Sequence, residues 1–398
     1  MNSRALIIIG LIAAVGGVLY LSRDSGDAGR AVSGQERGPS KPVKYPEVTE
    51  ISFLYSTEKE AWIEEAAIAF QKENPSIQVR LMGQGSLDAA QAILDGREKP
   101  TVWSPADSAV LKLLESDWAT EPSRGPLFAR EGEDAPRPLV MTPLVFVVWE
   151  DRARVLLKAN EGKSISWKVI HKAVASDQGW PAIGGQADWG FVKLGHTDPT
   201  RSNSGLQAML LATLEYYNKR TGLTVGDLLD PKYQEWIRQL EKGVTRLEAS
   251  SGTFMTDMIR FGPAKYDIAV VYENLAISRI ANAQERWGNL KVYYPPVTLW
   301  SDHPAAVLQG EWVTPQQKAA ARQWLAYLRS QKVQERALAF GFRPADSAVH
   351  IKTQDASNPF TRLAEHGIQV DVPPAAEVPE GAVVRNLLTM WSRVVGNR

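Results

Sequence analysis

Residues 51–57 read Ile-Ser-Phe-Leu-Tyr-Ser-Thr, and they begin the folded part of the chain. The first five predict a β-strand, and the serine and threonine that follow are residues that commonly cap a helix N-terminus. Apolar residues then recur at helical spacing from Trp62 to Phe70, and Asn74-Pro75 ends that pattern. This stretch therefore predicts a strand, a polar loop and a helix, in that order.

The same order occurs twice more in the next 60 or so residues. Ile77–Leu81 is the second predicted strand, and the loop Gly83–Ser86 opens a helix that runs through Leu94. Thr101–Trp103 is the third predicted strand, and Ser104-Pro105 opens the next helix. Three consecutive strand–loop–helix units are typical of a parallel α/β sheet with right-handed crossovers.

A second region follows with a similar pattern. Pro143–Trp149 is a continuous apolar run, which predicts a strand buried on both faces. Phe191–Leu194 is a predicted strand that leads into a polar segment and then the helix Leu206–Tyr217, and Ile268–Tyr272 is another buried strand. The chain is therefore expected to be an α/β protein with two such regions.

The polar loops of both regions follow the carboxyl ends of predicted strands, where ligands bind in open α/β sheets. Two facing regions would place these loops around one cleft. The candidate ligand-binding residues are Ser56, Thr57, Gly85, Ser86, Ser104, Thr197, Arg201, Ser202, Asn203, Ser204, Gly205 and Tyr272. For the first two the alternative is an ordinary helix cap, and for Gly85-Ser86 it is a plain turn.

The strongest candidates lie in residues 195–205, which read Gly-His-Thr-Asp-Pro-Thr-Arg-Ser-Asn-Ser-Gly ahead of an apolar helix. A helix start offers unpaired N–H groups and the positive end of the helix dipole, which favour an anion or a polar ligand head. Arg201 would pair with an anionic ligand unless it is solvated, and Asp198 is expected to brace the loop through an Asx turn. Glu273, next to Tyr272, leaves room for a cationic or zwitterionic ligand.

The composition excludes several classes of function. The 398 residues include 45 basic and 45 acidic side chains, so no basic excess indicates a nucleic-acid partner. The absence of cysteine excludes disulfides, thiolate metal sites and cysteine nucleophiles. The five histidines are scattered, and no nucleophile elbow, zinc-protease motif or Walker loop is present. We therefore expect a binding protein, not an enzyme, without a cofactor or metal.

The N-terminus predicts export. Arg4 precedes an apolar run at residues 5–21, whose length lies between that of a signal-peptide core and that of a membrane-spanning helix. We favour an uncleaved signal anchor within residues 1–24, with a cleaved signal peptide as the alternative. Residues 25–47 are rich in Gly, Ser, Pro and charge and predict a flexible linker. The remaining chain is then periplasmic, anchored to the inner membrane through residues 5–21.

Three segments carry a resemblance to a known family. They are Phe70–Val79, which links the first helix to the second strand, Thr197–Gly205, and Lys318–Pro344, a predicted helix pair that ends in Gly-Phe-Arg-Pro. In this order and spacing the chain resembles the extracellular solute-binding proteins of ABC-type transporters, in their two-lobed (type II) periplasmic form. The second segment looks like the second-lobe ligand loop of the members that bind oxyanions.

The resemblance implies a two-lobed α/β fold with an interlobe cleft that closes by hinge motion. The first lobe would hold residues 48–142 plus 301–398, and the second lobe residues 143–300. The implied function is capture of a small polar solute for uptake by an ABC permease in the inner membrane. An oxyanion is the favoured ligand, and an amino acid, a sugar or a metal stays open.

Two alternatives stay open at this point. A membrane-tethered sensor or scaffold subunit could use the same fold to bind a protein partner, and the lack of a clear signal cleavage site favours it. A hydrolase is the weaker alternative, because the sequence shows no nucleophile with a nearby base.

Overall fold

The structure, a computed structural model, describes residues 48–280, 283–353 and 355–396. The strands of these residues are β1 (Thr49–Tyr55), β2 (Ile77–Gly83), β3 (Val102–Ser104), β4 (Arg137–Pro138), β5 (Val140–Trp149), β6 (Leu194–Gly195), β7 (Ile268–Tyr272), β8 (Leu290–Tyr293), β9 (Trp300–Ser301), β10 (Pro304–Val307) and β11 (Arg343–Pro344). They form two sheets, and we call the part built on each sheet the first and the second lobe.

The α-helices of the described residues connect and cover these strands. They are α1 (Glu60–Glu73), α2 (Ser86–Leu94), α3 (Ser108–Trp118), α4 (Glu150–Ala159), α5 (Trp167–Val174), α6 (Asn203–Tyr216), α7 (Val225–Leu228), α8 (Pro231–Glu241), α9 (Ser251–Phe261), α10 (Glu273–Arg279), α11 (Gln284–Trp287), α12 (Pro315–Leu328), α13 (Gln331–Ala339), α14 (Pro359–Arg362) and α15 (Gly381–Val394). The three helices that the first part of the sequence predicts are α1, α2 and α3.

The first sheet has the strand order β2-β1-β3-β10-β4. β1 pairs in parallel with β2 and β3, as the three strand–loop–helix units predict. β10 instead pairs antiparallel with β3 and β4, so the sheet is mixed and not wholly parallel. The physical reason is that β10 enters this sheet directly from β9 of the second lobe, and an antiparallel strand needs no helical crossover.

Aromatic side chains fill the core of the first lobe. Phe53 of β1 and Phe70 of α1 both pack against Trp324 of α12, with ring centroids 5.8 Å and 5.1 Å apart. All three side chains are buried, and burial of such a residue contributes about 2–3 kcal/mol. This packing ties a helix from the last quarter of the chain to the first strand.

The second sheet is organised around β5, whose partners β7, β8, β9 and β11 all run antiparallel to it. Residues 142–149 are fully buried, which confirms the prediction of a strand covered on both faces. β6 pairs in parallel with β7. This parallel pair makes the second sheet mixed as well. The partners of β5 include a strand as far along the chain as Arg343–Pro344.

The last helix, α15, contacts elements of both lobes. The indole of Trp391 donates to Glu241 of α8 at 3.0 Å, and Arg385 forms an ion pair with Asp117 of α3. The lobe boundaries at residues 142 and 300 stay a prediction.

The predicted signal anchor and linker, residues 1–47, lie outside the described residues. Within the described ranges, every helix is too short or too polar to cross a membrane.

Candidate functional site

An open cleft of about 720 Å³ lies between the lobes. Its lining includes Thr57, Glu58 and Trp62 from the first lobe, and Thr253, Asp257 and Asn274 from the second. The amide of Asn274 donates to the backbone oxygen of Glu58 at 3.2 Å, so the two lobes touch at this point. Glu58 also reaches inward, because its carboxylate lies 3.2 Å from Nδ1 of His303. The open cleft is thus continuous with a buried polar cluster.

Lys59 lies at the centre of the first-lobe side of this cluster. It is fully buried, and its ammonium donates to Ser56 Oγ at 2.7 Å and to the backbone oxygens of Ser104 and Pro105 at 3.0 Å each. Nδ1 of His303 lies 3.2 Å from the same ammonium. Burial lowers the pKa of Lys59 to about 8. Ser56 and Ser104, which the sequence predicts to bind a ligand, therefore accept hydrogen bonds from a lysine of the protein itself.

Glu58 supplies the negative charge that accompanies Lys59. Burial acts to raise its pKa, but the hydrogen bond with His303 and the charge of Lys59 outweigh burial and lower the pKa to about 2. The hydroxyl of Ser56 donates to the same carboxylate. Burial and the charge of Lys59 lower the pKa of His303, so its ring is neutral near pH 7.

The backbone of His303 also marks the site. Its φ is +40°, in the left-handed region that residues other than glycine rarely adopt. Such a conformation costs on the order of 1–3 kcal/mol and is found mainly at functional sites. The neighbouring chain holds it in place, since His303 N donates to Ala106 O at 3.1 Å and its oxygen accepts from Leu139 N.

The second-lobe side of the cluster is the first turn of α6. Asn203 donates from Nδ2 to the Tyr272 hydroxyl at 3.0 Å. One turn later, Gln207 donates from Nε2 to Ser301 Oγ at 2.9 Å and to Asp107 Oδ2 at 2.7 Å. Because Asp107 belongs to the first lobe, where it caps α3 by accepting from Ala109 N, this last bond joins the lobes.

Asp107 is the most perturbed acid of the cluster. Burial and the charge of Asp302 raise its pKa to about 7, although hydrogen bonds from Ala109 N and Gln207 act in the opposite direction. Its charge therefore changes near neutral pH, at a contact between the lobes.

Four buried polar atoms of this cluster have no hydrogen-bond partner within the described part of the chain. They are Ser104 Oγ, Asn203 Oδ1, Gln207 Oε1 and His303 Nε2, and each belongs to a residue that is at most 2% exposed. A buried polar atom left unpaired costs about 1–3 kcal/mol, so native proteins seldom leave several together without a functional reason. Two belong to α6 of the second lobe and two to Ser104 and His303 of the first lobe, which is the arrangement expected where a ligand is enclosed.

The structure places the predicted residues in five different settings. Ser56, Ser104, Asn203 and Tyr272 belong to the buried cluster, and Thr57 lines the open cleft.

The other hydroxyl-bearing candidates make contacts that shape the loops. Thr197 and Ser204 hydrogen-bond to each other at 2.7 Å, Ser202 lies 3.3 Å from Ser204, and Ser86 accepts from Ala106 N at 2.9 Å.

The two glycines allow close approach of the backbone. A Cβ on Gly205 would lie 2.2 Å from Thr197 O, so only glycine fits there without a shift of the helix. Gly85 lies against Arg201 O of the opposite lobe, which a Cβ would approach to 3.1 Å.

Two charged residues are committed to protein partners. Arg201 donates to Asp88 of α2, with Nη2 2.9 Å from Oδ2, and this ion pair bridges the lobes. Glu273 is buried and paired with Arg343 at 2.7 Å, and it also accepts from Tyr294. Asp198 accepts from Thr200 N at 2.8 Å, which is the geometry of an Asx turn. Neither Arg201 nor Glu273 belongs to the buried cluster.

Sequence reasoning missed Glu58, Lys59, Asp107, Gln207, Ser301 and His303. For two of these a signal was present: Asp107 follows the third predicted strand, and Gln207 lies one helical turn after Asn203 on the same face. Lys59 gave no signal, because a lysine near a helix start is normally solvated. Within the described ranges, His, Asp and Glu side chains form no group of three that could hold a metal ion.

Comparisons with known proteins agree with this architecture. A family model described as bacterial extracellular solute-binding protein matches residues 51–343. A search of curated proteins by sequence gives no match.

Solved structures of the same fold include a periplasmic thiamin binding protein, 14% identical with a TM-score of 0.61, over 92% of this chain and 99% of that one. The sulfate-binding protein SubI from Mycobacterium tuberculosis H37Rv is 15% identical with a TM-score of 0.55, over 88% of this chain and 99% of that one. Iron-bound HitA from Pseudomonas aeruginosa is 16% identical with a TM-score of 0.55, over 87% and 99%. At these identities the likeness shows the two-lobed α/β fold alone.

Proposed function

The chain belongs to the bacterial extracellular solute-binding proteins, and we propose that it captures a small polar solute between its lobes and passes it to an ABC-type importer. The observation that carries this proposal is the set of four unpaired polar atoms, contributed by both lobes and buried at their contact. A solute that pairs with these atoms removes their desolvation cost, and it does so only when the lobes are closed. Binding would therefore shift the open–closed population toward the closed form.

Three direct contacts stabilise the closed form without a solute. Gln207 bonds Asp107, Asn274 bonds the backbone of Glu58, and Arg201 pairs with Asp88. The last pair is largely exposed, and exposed pairs contribute about 0.2–1 kcal/mol. The solute then supplies the rest of the closing free energy, and its release requires that these contacts alone do not hold the lobes closed.

The oxyanion expected from the sequence stays a prediction, and the charges at the site give it little support. Arg201, the predicted anion partner, is paired with Asp88, and Lys59 is already surrounded by acceptors. The proteins of similar fold include a sulfate-binding protein, a thiamin binding protein and an iron-bound protein, so the fold itself does not select a ligand.

A sensor or scaffold subunit that binds a protein partner is the second candidate. It is favoured by Lys59, whose ammonium donates to acceptors of the first-lobe loops to which a solute would otherwise donate. The predicted membrane anchor fits this candidate equally well.

Thermal unfolding of the full chain in detergent, with panels of sugars, amino acids, oxyanions and metal salts, tests the first candidate. A solute at 100 times its Kd stabilises the folded state by about 2.7 kcal/mol, which is a visible shift. Asn203→Ala should abolish that shift, and Asn386→Ala, in an exposed turn of α15, should not. Unchanged unfolding with every panel, together with capture of a membrane protein, would favour the second candidate.

A further inference from the structure

On both amides at the head of α6 the NH2 group is already hydrogen-bonded, and the carbonyl oxygen is the unpaired atom. Nδ2 of Asn203 is used by Tyr272, and Nε2 of Gln207 is used by Asp107 and Ser301. What remains on each amide is a carbonyl oxygen, which only accepts hydrogen bonds. A solute must therefore bring O–H or N–H groups to this position, and a bare oxyanion brings none.

The positive charge that an anion needs is not available at this cluster. Lys59 has three ammonium protons, and three oxygens accept from it within 3.0 Å, so no proton is left for a solute. Arg201 is paired with Asp88 across the lobes. Arg279 lines the open cleft with an exposed side chain, but the acids Glu60 and Asp257 line the same cleft.

Negative charge faces the solute from the first lobe. Glu58 is ionised beside His303, and Asp107 has its pKa raised to about 7 by burial and by Asp302. Lys112 acts on Asp107 in the opposite direction, as does its bond with Gln207. A second anion placed beside these carboxyls would pay a Coulomb cost that the buried site does not screen.

The N-terminus of α6 indicates whether the solute is an amine or a hydroxyl compound. Its N-cap residue, Ser202, pairs its hydroxyl with Ser204 Oγ at 3.3 Å and not with a backbone N–H of the first turn, so the first N–H groups of α6 have no side-chain cap in the described structure. These N–H groups would pair with acceptor atoms of the solute. A hydroxyl group donates to the carbonyls of Asn203 and Gln207 and also accepts from N–H groups, whereas an ammonium only donates.

We infer that the solute enclosed here is neutral and polyhydroxylated, so that it presents hydrogen-bond donors to Asn203 Oδ1 and Gln207 Oε1 and acceptors to the start of α6. This inference rests on the proposed function, because it names the chemical class of the solute held at that same site.

Two experiments test the inference. The full chain, solubilised in detergent, is incubated with a small-molecule extract of bacterial cells, and the compounds it retains are released and identified by mass spectrometry. Isothermal titration calorimetry then uses D-glucose, myo-inositol, putrescine, sulfate and phosphate, with any retained compound added.

Asn203→Asp provides the sharpest variant, because it keeps an acceptor oxygen and adds a negative charge. The Tyr272 hydroxyl can reverse its bond and donate to the new carboxylate. A neutral hydroxyl compound should keep its affinity within about tenfold, whereas Asn203→Leu should lose roughly tenfold or more. Asn386→Asp is the matched exposed control and should change nothing.

The outcomes separate the two proposals. Retention of a neutral polyhydroxylated compound that tolerates Asn203→Asp supports the inference. Binding of sulfate or phosphate that Asn203→Asp abolishes, or retention of an amine, overturns the inference while the proposed function stands. If nothing is retained and no probe binds, the proposed function fails, and the inference fails with it.

Discussion

Asp107→Asn should remove a pH dependence of stability that the wild-type chain owes to one carboxyl group. In the folded protein, burial and the charge of Asp302 raise the pKa of Asp107 from 3.8 to about 7. The folded state therefore binds this proton more tightly than the unfolded state. Stability from this group is fully present below about pH 4 and is lost as the pH rises through 7.

The magnitude of this loss of stability follows from the pH range between the unfolded and folded pKa values of Asp107. Between pH 5 and pH 7 the folded state holds close to one more proton at this site, which is worth about 1.4 kcal/mol per pH unit. The free energy of unfolding should fall by roughly 2–3 kcal/mol from pH 5 to pH 8 because of Asp107 alone. Asparagine keeps the cap on Ala109 N, and the amide of Gln207 can rotate to accept from it.

The assay is urea unfolding followed by tryptophan fluorescence at pH 5, 6, 7 and 8. The difference between variant and wild type cancels the histidines, which titrate in both proteins. Asp302→Asn should move the fall to lower pH, because it removes the charge that helps to raise the pKa. Asp177→Asn, at an exposed position, should leave the slope unchanged. A difference between Asp107→Asn and wild type that is flat from pH 5 to pH 8 would refute the reasoning.

Three further changes test other parts of the structure. Arg201→Ala and Asp88→Ala should each weaken solute binding by no more than about fivefold, since the exposed pair contributes about 1 kcal/mol at most. The double variant should weaken binding by no more than either single variant. A hundredfold loss of affinity in calorimetry for Arg201→Ala alone would show that the arginine contacts the solute. Gly205→Ala should destabilise the chain by roughly 2 kcal/mol or more in urea unfolding, because its Cβ would meet Thr197 O at 2.2 Å. The control Gly252→Ala has open space around its Cβ and should be neutral or stabilising by about 0.5–1 kcal/mol. Equal effects of the two variants on stability would contradict the contact at Gly205. Lys59→Met should lower the free energy of unfolding by about 3–5 kcal/mol, because it leaves Glu58 without its counter-charge, and it should raise the pKa of His303 in an NMR titration. An unchanged pKa of His303 together with unchanged stability would show that Lys59 is not the centre of the cluster.

Local pattern was sufficient to predict the first three strand–loop–helix units. Each unit pairs a strand with the helix that directly follows it, so the information lies within about 25 residues of sequence. β5 was likewise recognised as a buried strand from its apolar run. The direction of its partners was not predictable, because β9 and β11 come from residues 300–301 and 343–344, and nothing local in an apolar strand specifies which later segment pairs with it.

The same distinction separates the predicted site residues from the missed ones. The positions of Ser56, Ser104, Asn203 and Tyr272 were predictable because a strand end or a helix start fixes where they lie, and their role in binding stays a prediction. Arg201 was assigned to an anion because Asp88, its partner, is 113 positions away in the chain. Lys59 was missed since its burial depends on acceptors from residues 104, 105 and 303, which only the folded chain brings together.

Lys59 also bears on how the lobes would recognise a solute under the proposed function. Its ammonium already donates to the loops after β1 and β3, through Ser56 Oγ and the backbone oxygens of Ser104 and Pro105. Two of the four unpaired atoms lie on α6, in Asn203 and Gln207, and two lie in the first lobe, in Ser104 and His303. Under the proposed function, selectivity should follow substitutions at these residues more strongly than substitution of Ser56, because Ser56 Oγ is already hydrogen-bonded to Lys59 and Glu58.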